Sequence, residues 1–120
     1  MSILAKLSIA LVAALHVLFM ILEMLLWNTP FGRRIFGLTR EQSQQTAVLA
    51  ANQGLYNGFL AAGLLWGLYD PAKHISMIVF FLVCVVVAGV FGSITANRSI
   101  LWIQALPGLI ALGLVQYAGL

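Results

Sequence analysis

The chain has 120 residues, 62% of them hydrophobic and 8% charged, with a formal net charge of +3. Soluble proteins carry about 25% charged residues, and six basic plus three acidic side chains are too few to cover so apolar a core. The composition excludes an ordinary soluble fold, and the lack of a basic run argues against nucleic acid. What remains is one all-α integral membrane domain over residues 1–120.

A helix crossing the hydrocarbon core needs about 20 mostly apolar residues, and four segments are predicted to do so. The first is Ile3–Trp27. Lys6 ahead of an apolar stretch is like the start of a signal peptide, but the stretch exceeds an h-region and no small-x-small cleavage site follows. A retained first span is expected. Asn28-Thr29-Pro30, followed by Gly32-Arg33-Arg34, ends it. Across the longer loop 28–45, Thr39 and Gln42 have the spacing of a capping box, so the next helix is expected to start near Arg40.

The second segment is Ala47–Tyr69, closed by Asp70-Pro71-Ala72-Lys73, with Asp70 placed to cap the third. The third is His74–Ala96, followed by a turn at Asn97-Arg98-Ser99, and the fourth is Ile100–Gly119. Short connections make neighbours antiparallel, so the expected architecture is a four-helix membrane bundle. Pro107-Gly108 should bend the fourth helix or break its hydrogen-bond ladder. Arg33, Arg34, Arg40 and Arg98 fall on one side and Lys6 and Lys73 on the other. The positive-inside rule then puts the first and third loops in the cytoplasm and both termini outside, in a multi-pass cell (inner) membrane protein. Trp27, Trp66, Tyr69, Trp102 and Tyr117 sit near segment ends as interface anchors, and His74 reads as interfacial too. Cys84 is the sole cysteine, which rules out an intrachain disulfide and favours packing.

Polar residues inside the apolar segments point to function. Glu23 costs roughly 2.5–3.5 kcal/mol in a spanning helix and so should face a partner or a wet cavity. His16 lies on the same stripe, with Met20 and Trp27. On the second segment Asn52 and Tyr56 share a stripe with Gln45, and Gln53 and Asn57 form another beside it. Buried amides need hydrogen bonds. Levelling Trp27 with Ala47, at about 1.5 Å per residue, sets Glu23 beside Ala51–Asn52 and His16 beside Asn57–Gly58. Ser93, Thr95 and Gln104 fall in the same half. The expected site is a polar pocket of Glu23, His16, Asn52, Gln53, Tyr56, Asn57 and Gln104. Glu23 and His16 are separated by about 10.5 Å along the axis, which favours a water or substrate between them over a metal. No metal site and no cofactor are expected.

Small residues mark close helix approaches. Gly54, Gly58 and Ala62 recur every four residues roughly opposite the Asn52/Tyr56 stripe, and Ala88, Gly92 and Ala96 repeat the pattern on the third segment. Intramolecular packing is the plainer reading; a homodimer seam is the other.

Leu15-His16-Val17, Glu23-Met24-x-x-Trp27, Asn52-Gln53-Gly54-Leu55-Tyr56-Asn57-Gly58, Gly89-x-x-Gly92 and Gln104-x-x-Pro107 together resemble a family of small bacterial and fungal membrane proteins. It is the domain-of-unknown-function family numbered thirteen-hundred-and-four. The resemblance covers nearly the whole chain and implies four spans and the same polar positions, but no reaction.

Three functions follow as alternatives. In the first, the pocket binds or transports a small polar or amphiphilic molecule, transport then requiring a dimer. In the second, the chain is an intramembrane enzyme with Glu23 and His16 as acid and base on a lipid-soluble substrate. In the third, it is an accessory or structural subunit whose polar layer sets helix register. Expected partners are the lipid bilayer, such a ligand and a second copy of the chain.

Overall fold

A computed structural model of the protein describes residues 1–118; Gly119, the end of the fourth predicted segment, lies outside the described residues. Regular structure among these residues is helical throughout: α1 (Ile3–Met24), α2 (Pro30–Phe36), α3 (Arg40–Tyr69), α4 (Ile75–Thr95) and α5 (Leu106–Ala118), the last entered through a π-helical turn at Leu101–Ala105. Among the described residues two helices, α1 and α4, are long and apolar enough to cross a membrane. The four predicted spans reduce to these two on that measure. The α3 helix has the length but is diluted by its glutamine-rich start and by Asn52, Gln53 and Asn57. The last apolar stretch, Leu101–Tyr117, is shorter. Much of α4 is turned outward, with Phe80, Val87, Phe91 and Ile94 exposed, the last to 79%. In water each such side chain forfeits about 1.5–3 kcal/mol of burial, a penalty that a hydrocarbon solvent removes.

The chain divides into two compact units. One comprises Met1–Leu15 and the chain from Leu60 onward. Its core is wholly apolar: Ala5, Ile9, Val12 and Ala13 of α1, Leu64 of α3, Ile78, Leu82 and Val85 of α4, and Ala111 and Val115 of α5. Gly89 permits a close approach of backbone to backbone there. A Cβ at this position would lie 2.7 Å from Ala105 N and 2.9 Å from its Cα. The expected small-residue row is therefore shifted: Gly89 is buried, whereas Ala88 and Ala96 are exposed. Gly92 only meets the Ile100 side chain.

Pro107 explains the π turn. Its ring cannot donate to Ile103 O and would crowd it, so the ladder widens, and Leu106 N donates to Leu101 O, five residues back. The expected disruption at Pro107-Gly108 thus takes the form of an inserted wide turn. Between α4 and α5 the chain follows an Asn97 turn, with Ser99 N donating to Asn97 Oδ1 at 2.9 Å. Between α3 and α4 the Asp70 carbonyl, not its side chain, accepts from Lys73 N and His74 N. The Asp70 carboxylate pairs instead with Lys73 at 3.7 Å, and His74 occupies the cap position with no side-chain capping bond, its Nδ1 lying 2.9 Å from the Asp70 carbonyl oxygen.

The second unit is His16–Phe59. The capping box forms: Gln42 N donates to Thr39 Oγ1 at 3.1 Å, and Thr39 N donates to Gln42 Oε1 at 2.9 Å. The α3 helix starts at Arg40, as expected. The α2 helix occupies what the sequence presents as a loop. Thr29-Pro30 stops α1, yet Thr followed by Pro is also a helix start. Thr29 Oγ1 accepts from Gly32 N at 3.1 Å, and Pro30 occupies the first turn, where a missing N–H costs nothing. Gly37 closes α2 at φ 66°, a left-handed conformation that favours glycine. Gly32 is required because a Cβ there would overlap Leu26 O.

Candidate functional site

The residues that converge lie within His16–Phe59. The buried stripe of α1 continues through His16, fully buried, to Glu23, 6% exposed. A carboxylate so enclosed needs donors, and α3 supplies one: Asn57 Nδ2 donates to Glu23 Oε1 at 2.5 Å. The two backbones come together through Gly54 and Gly58. A Cβ at Gly54 would lie 2.7 Å from Met24 Cγ, 3.0 Å from Glu23 Cβ and 3.2 Å from Met20 O. One at Gly58 would lie 2.7 Å from Met20 Sδ. The Gly54/Gly58 face is thus an intramolecular packing surface, and it is what lets Asn57 reach the carboxylate.

Glu23 therefore meets Asn57 and not Asn52. Two physical effects account for the shift. Side chains lean toward the N-terminus of their own helix, so on antiparallel helices Glu23 and Asn57 lean toward each other. Their tips meet although their Cα atoms are not level. In addition, Trp27 is not helical: α1 ends at Met24, and Leu26 N already bonds back five residues to Ile21 O. Its indole reaches Thr46, Nε1 donating to Oγ1 at 3.0 Å, and packs on Phe36 with centroids 4.6 Å apart. A straight helix levelled at Trp27 misplaces everything above it.

Further bonds tie the end of α1 to α3. Ser43 Oγ donates to Asn28 Oδ1 at 2.6 Å, and Ser43 is fully buried. Arg33 Nη1 donates to Asn28 O at 3.0 Å. The sequence shows Asn28 only as the end of the first segment, and its pairing with Ser43, like that of Trp27 with Thr46, emerges only in the fold. The one usable signal was that three polar residues bracket a loop whose helix start was already recognisable.

The other predicted site residues are placed elsewhere. Asn52, Gln53 and Tyr56 are exposed, with Asn52 and Tyr56 on the side of α3 opposite Gly54. Tyr56 makes an edge-to-face contact with Phe59, centroids 5.8 Å apart. His16 packs against Phe19 in a similar geometry at 5.2 Å. It is set apart from Glu23 by two helical turns on one face. Gln104 sits in the π turn and donates from Nε2 to Val85 O at 3.3 Å, a bond between α4 and the entry to α5. Ser93 and Thr95 donate to carbonyls of their own helix. Among the described residues no three of His, Cys, Asp or Glu gather as metal ligands. One cavity of about 210 Å³ is lined by Met1, Pro71, Ala72, Ile75 and Val115. An apolar groove of about 220 Å³ runs along Val86, Val90, Trp102 and Leu109. Neither is lined by a predicted site residue.

What this arrangement can do chemically is accept. A carboxylate has room for several donors, and Asn57 occupies part of one oxygen. A ligand bearing an ammonium or hydroxyl group would complete the set.

Comparison with known proteins gives a consistent picture. The family model described as "Protein of unknown function (DUF1304)" matches residues 10–116. An uncharacterized protein, YpaA, of Lactococcus lactis subsp. lactis (strain IL1403) is similar at 28% identity over 118 residues, covering 97% of this chain and 98% of that protein. No solved structure matches.

Proposed function

Because the chain belongs to the DUF1304 family of proteins of unknown function, its own residues must carry the reading, and we propose that it is a four-span membrane protein that binds a small polar or amphiphilic molecule at Glu23. In this reading the arginine-bearing loops face the cytoplasm, and Asn57 holds the carboxylate ready for a donor group on the ligand. The single observation behind it is a carboxylate, 6% exposed, near the end of an apolar helix and held by one amide. Retaining a charge there is costly if an amide would serve.

The test is thermal unfolding of detergent-purified protein with a panel of alkylamines and alkyl alcohols. A binder present at about 100 times its Kd adds about 2.7 kcal/mol to the native state. Glu23→Gln should keep the fold and lose that response. If no compound raises the midpoint, or if Glu23→Gln responds equally, the reading fails. One observation favours a second reading. The Asn57 bond and the Gly54 contact also fix the register of α1 against α3, as expected for an accessory or structural subunit. In that case Glu23→Gln is neutral for function.

A further inference from the structure

The outward face of α3 carries a pattern that its inward packing does not use. Gln45, Leu49, Asn52, Tyr56 and Phe59 are all exposed and follow one another at alternating intervals of four and three residues. At 100° per residue they form one narrow stripe opposite Gly54. Leu49 is 71% exposed, Tyr56 60% and Phe59 54%. A repeat of about 3.5 residues is the spacing of knobs-into-holes packing between helices. A surface that meets only lipid tails has no need of it and has a specific objection to Asn52, whose amide loses water without gaining a partner.

We propose that this stripe is the seam of a parallel homodimer. The chemistry of the seam points to a second copy of the chain. All copies insert into a bilayer with the same topology, so a two-fold axis runs along the membrane normal and sets α3 parallel to α3 of the partner. Every seam residue near that axis then faces its own counterpart. A carboxamide both donates and accepts, so Asn52 satisfies Asn52 of the partner subunit. Leu49 pairs as a knob, and the Tyr56–Phe59 edge-to-face pair offers a rigid aromatic anchor. Homodimerisation here uses the polar stripe, not the Gly54/Gly58 row, which the chain consumes internally. The inference rests on α3 lying within the bilayer, not on ligand binding at Glu23.

The test is disulfide scanning of the full-length chain in membranes, in a Cys84→Ser background. Leu49→Cys and Tyr56→Cys should give cross-linked dimers on mild oxidation. Ala51→Cys and Leu55→Cys, turned off the stripe, should not. With Cys84→Ser alone as reference, Asn52→Leu should weaken dimerisation by about threefold to thirtyfold, the change that corresponds to one or two interhelical hydrogen bonds. Alkaline extraction of the same membranes reports integration. Retention in the membrane with equal cross-linking at all four positions, or with none, overturns the seam. Release into the supernatant overturns the bilayer placement and the seam with it. Cross-linking confined to Ala51→Cys and Leu55→Cys moves any interface elsewhere and also overturns it.

Discussion

The two units hold themselves together by different means. The one built from Met1–Leu15 and the chain from Leu60 onward coheres mainly through aliphatic side chains and a glycine, Gly89, against the Ala105 backbone, with the Gln104 bond to Val85 O beside them. The other, His16–Phe59, coheres through hydrogen bonds between residues far apart in sequence: Asn57 to Glu23, Trp27 to Thr46 and Ser43 to Asn28. Dispersion in a packed core is the sum of many small, undirected contacts. A hydrogen bond depends on two named atoms. The first unit should therefore be sensitive to volume and indifferent to which apolar residue fills it. The second should be sensitive to chemistry at a few positions.

The comparison breaks most visibly at Gly89. Gly89→Leu puts side-chain atoms where Ala105 backbone stands, and overpacking of that kind costs about 3 kcal/mol. Thermal unfolding in detergent, followed by far-UV circular dichroism, should show a large fall in midpoint. Little change would mean that α4 and the π turn separate freely. Next in size is Asn57→Ala, which leaves the enclosed Glu23 carboxylate without its donor at a cost of about 1–3 kcal/mol. The same measurement on the double variant with Glu23→Gln should recover part of that loss, since the uncompensated charge is gone. Without recovery, Asn57 contributes through packing alone, and the contrast between the units weakens. The smallest expected effect is Thr39→Ala, which removes one half of the capping box for about 1 kcal/mol. Hydrogen exchange should quicken in the first turn of α3 and remain unchanged in α4.

Much of the helical layout was legible from local rules. The starts and stops at Arg40, Tyr69, Asn97 and Pro107 are set by caps, turns and a missing N–H, all of which act within a few residues. Where two local rules overlap, one was missed: Thr29-Pro30 ends α1 and also begins α2. Glu23 as the polar focus was legible because a carboxylate in an apolar run is costly wherever the helix packs.

The partner of Glu23 was not legible. Helix periodicity gives the direction of a side chain about its axis, but not the axial offset of one helix against another. That offset is decided by Gly54 and Gly58, by the lean of side chains toward helix N-termini and by the early end of α1 at Met24. By itself the sequence determined an apolar, all-helical family member with one enclosed carboxylate, since composition and local backbone preferences suffice for that. Only the tertiary structure decided that Asn57 turns inward to hold the carboxylate while Asn52 and Tyr56 turn outward. That choice depends on how closely two backbones pack, which no single segment contains.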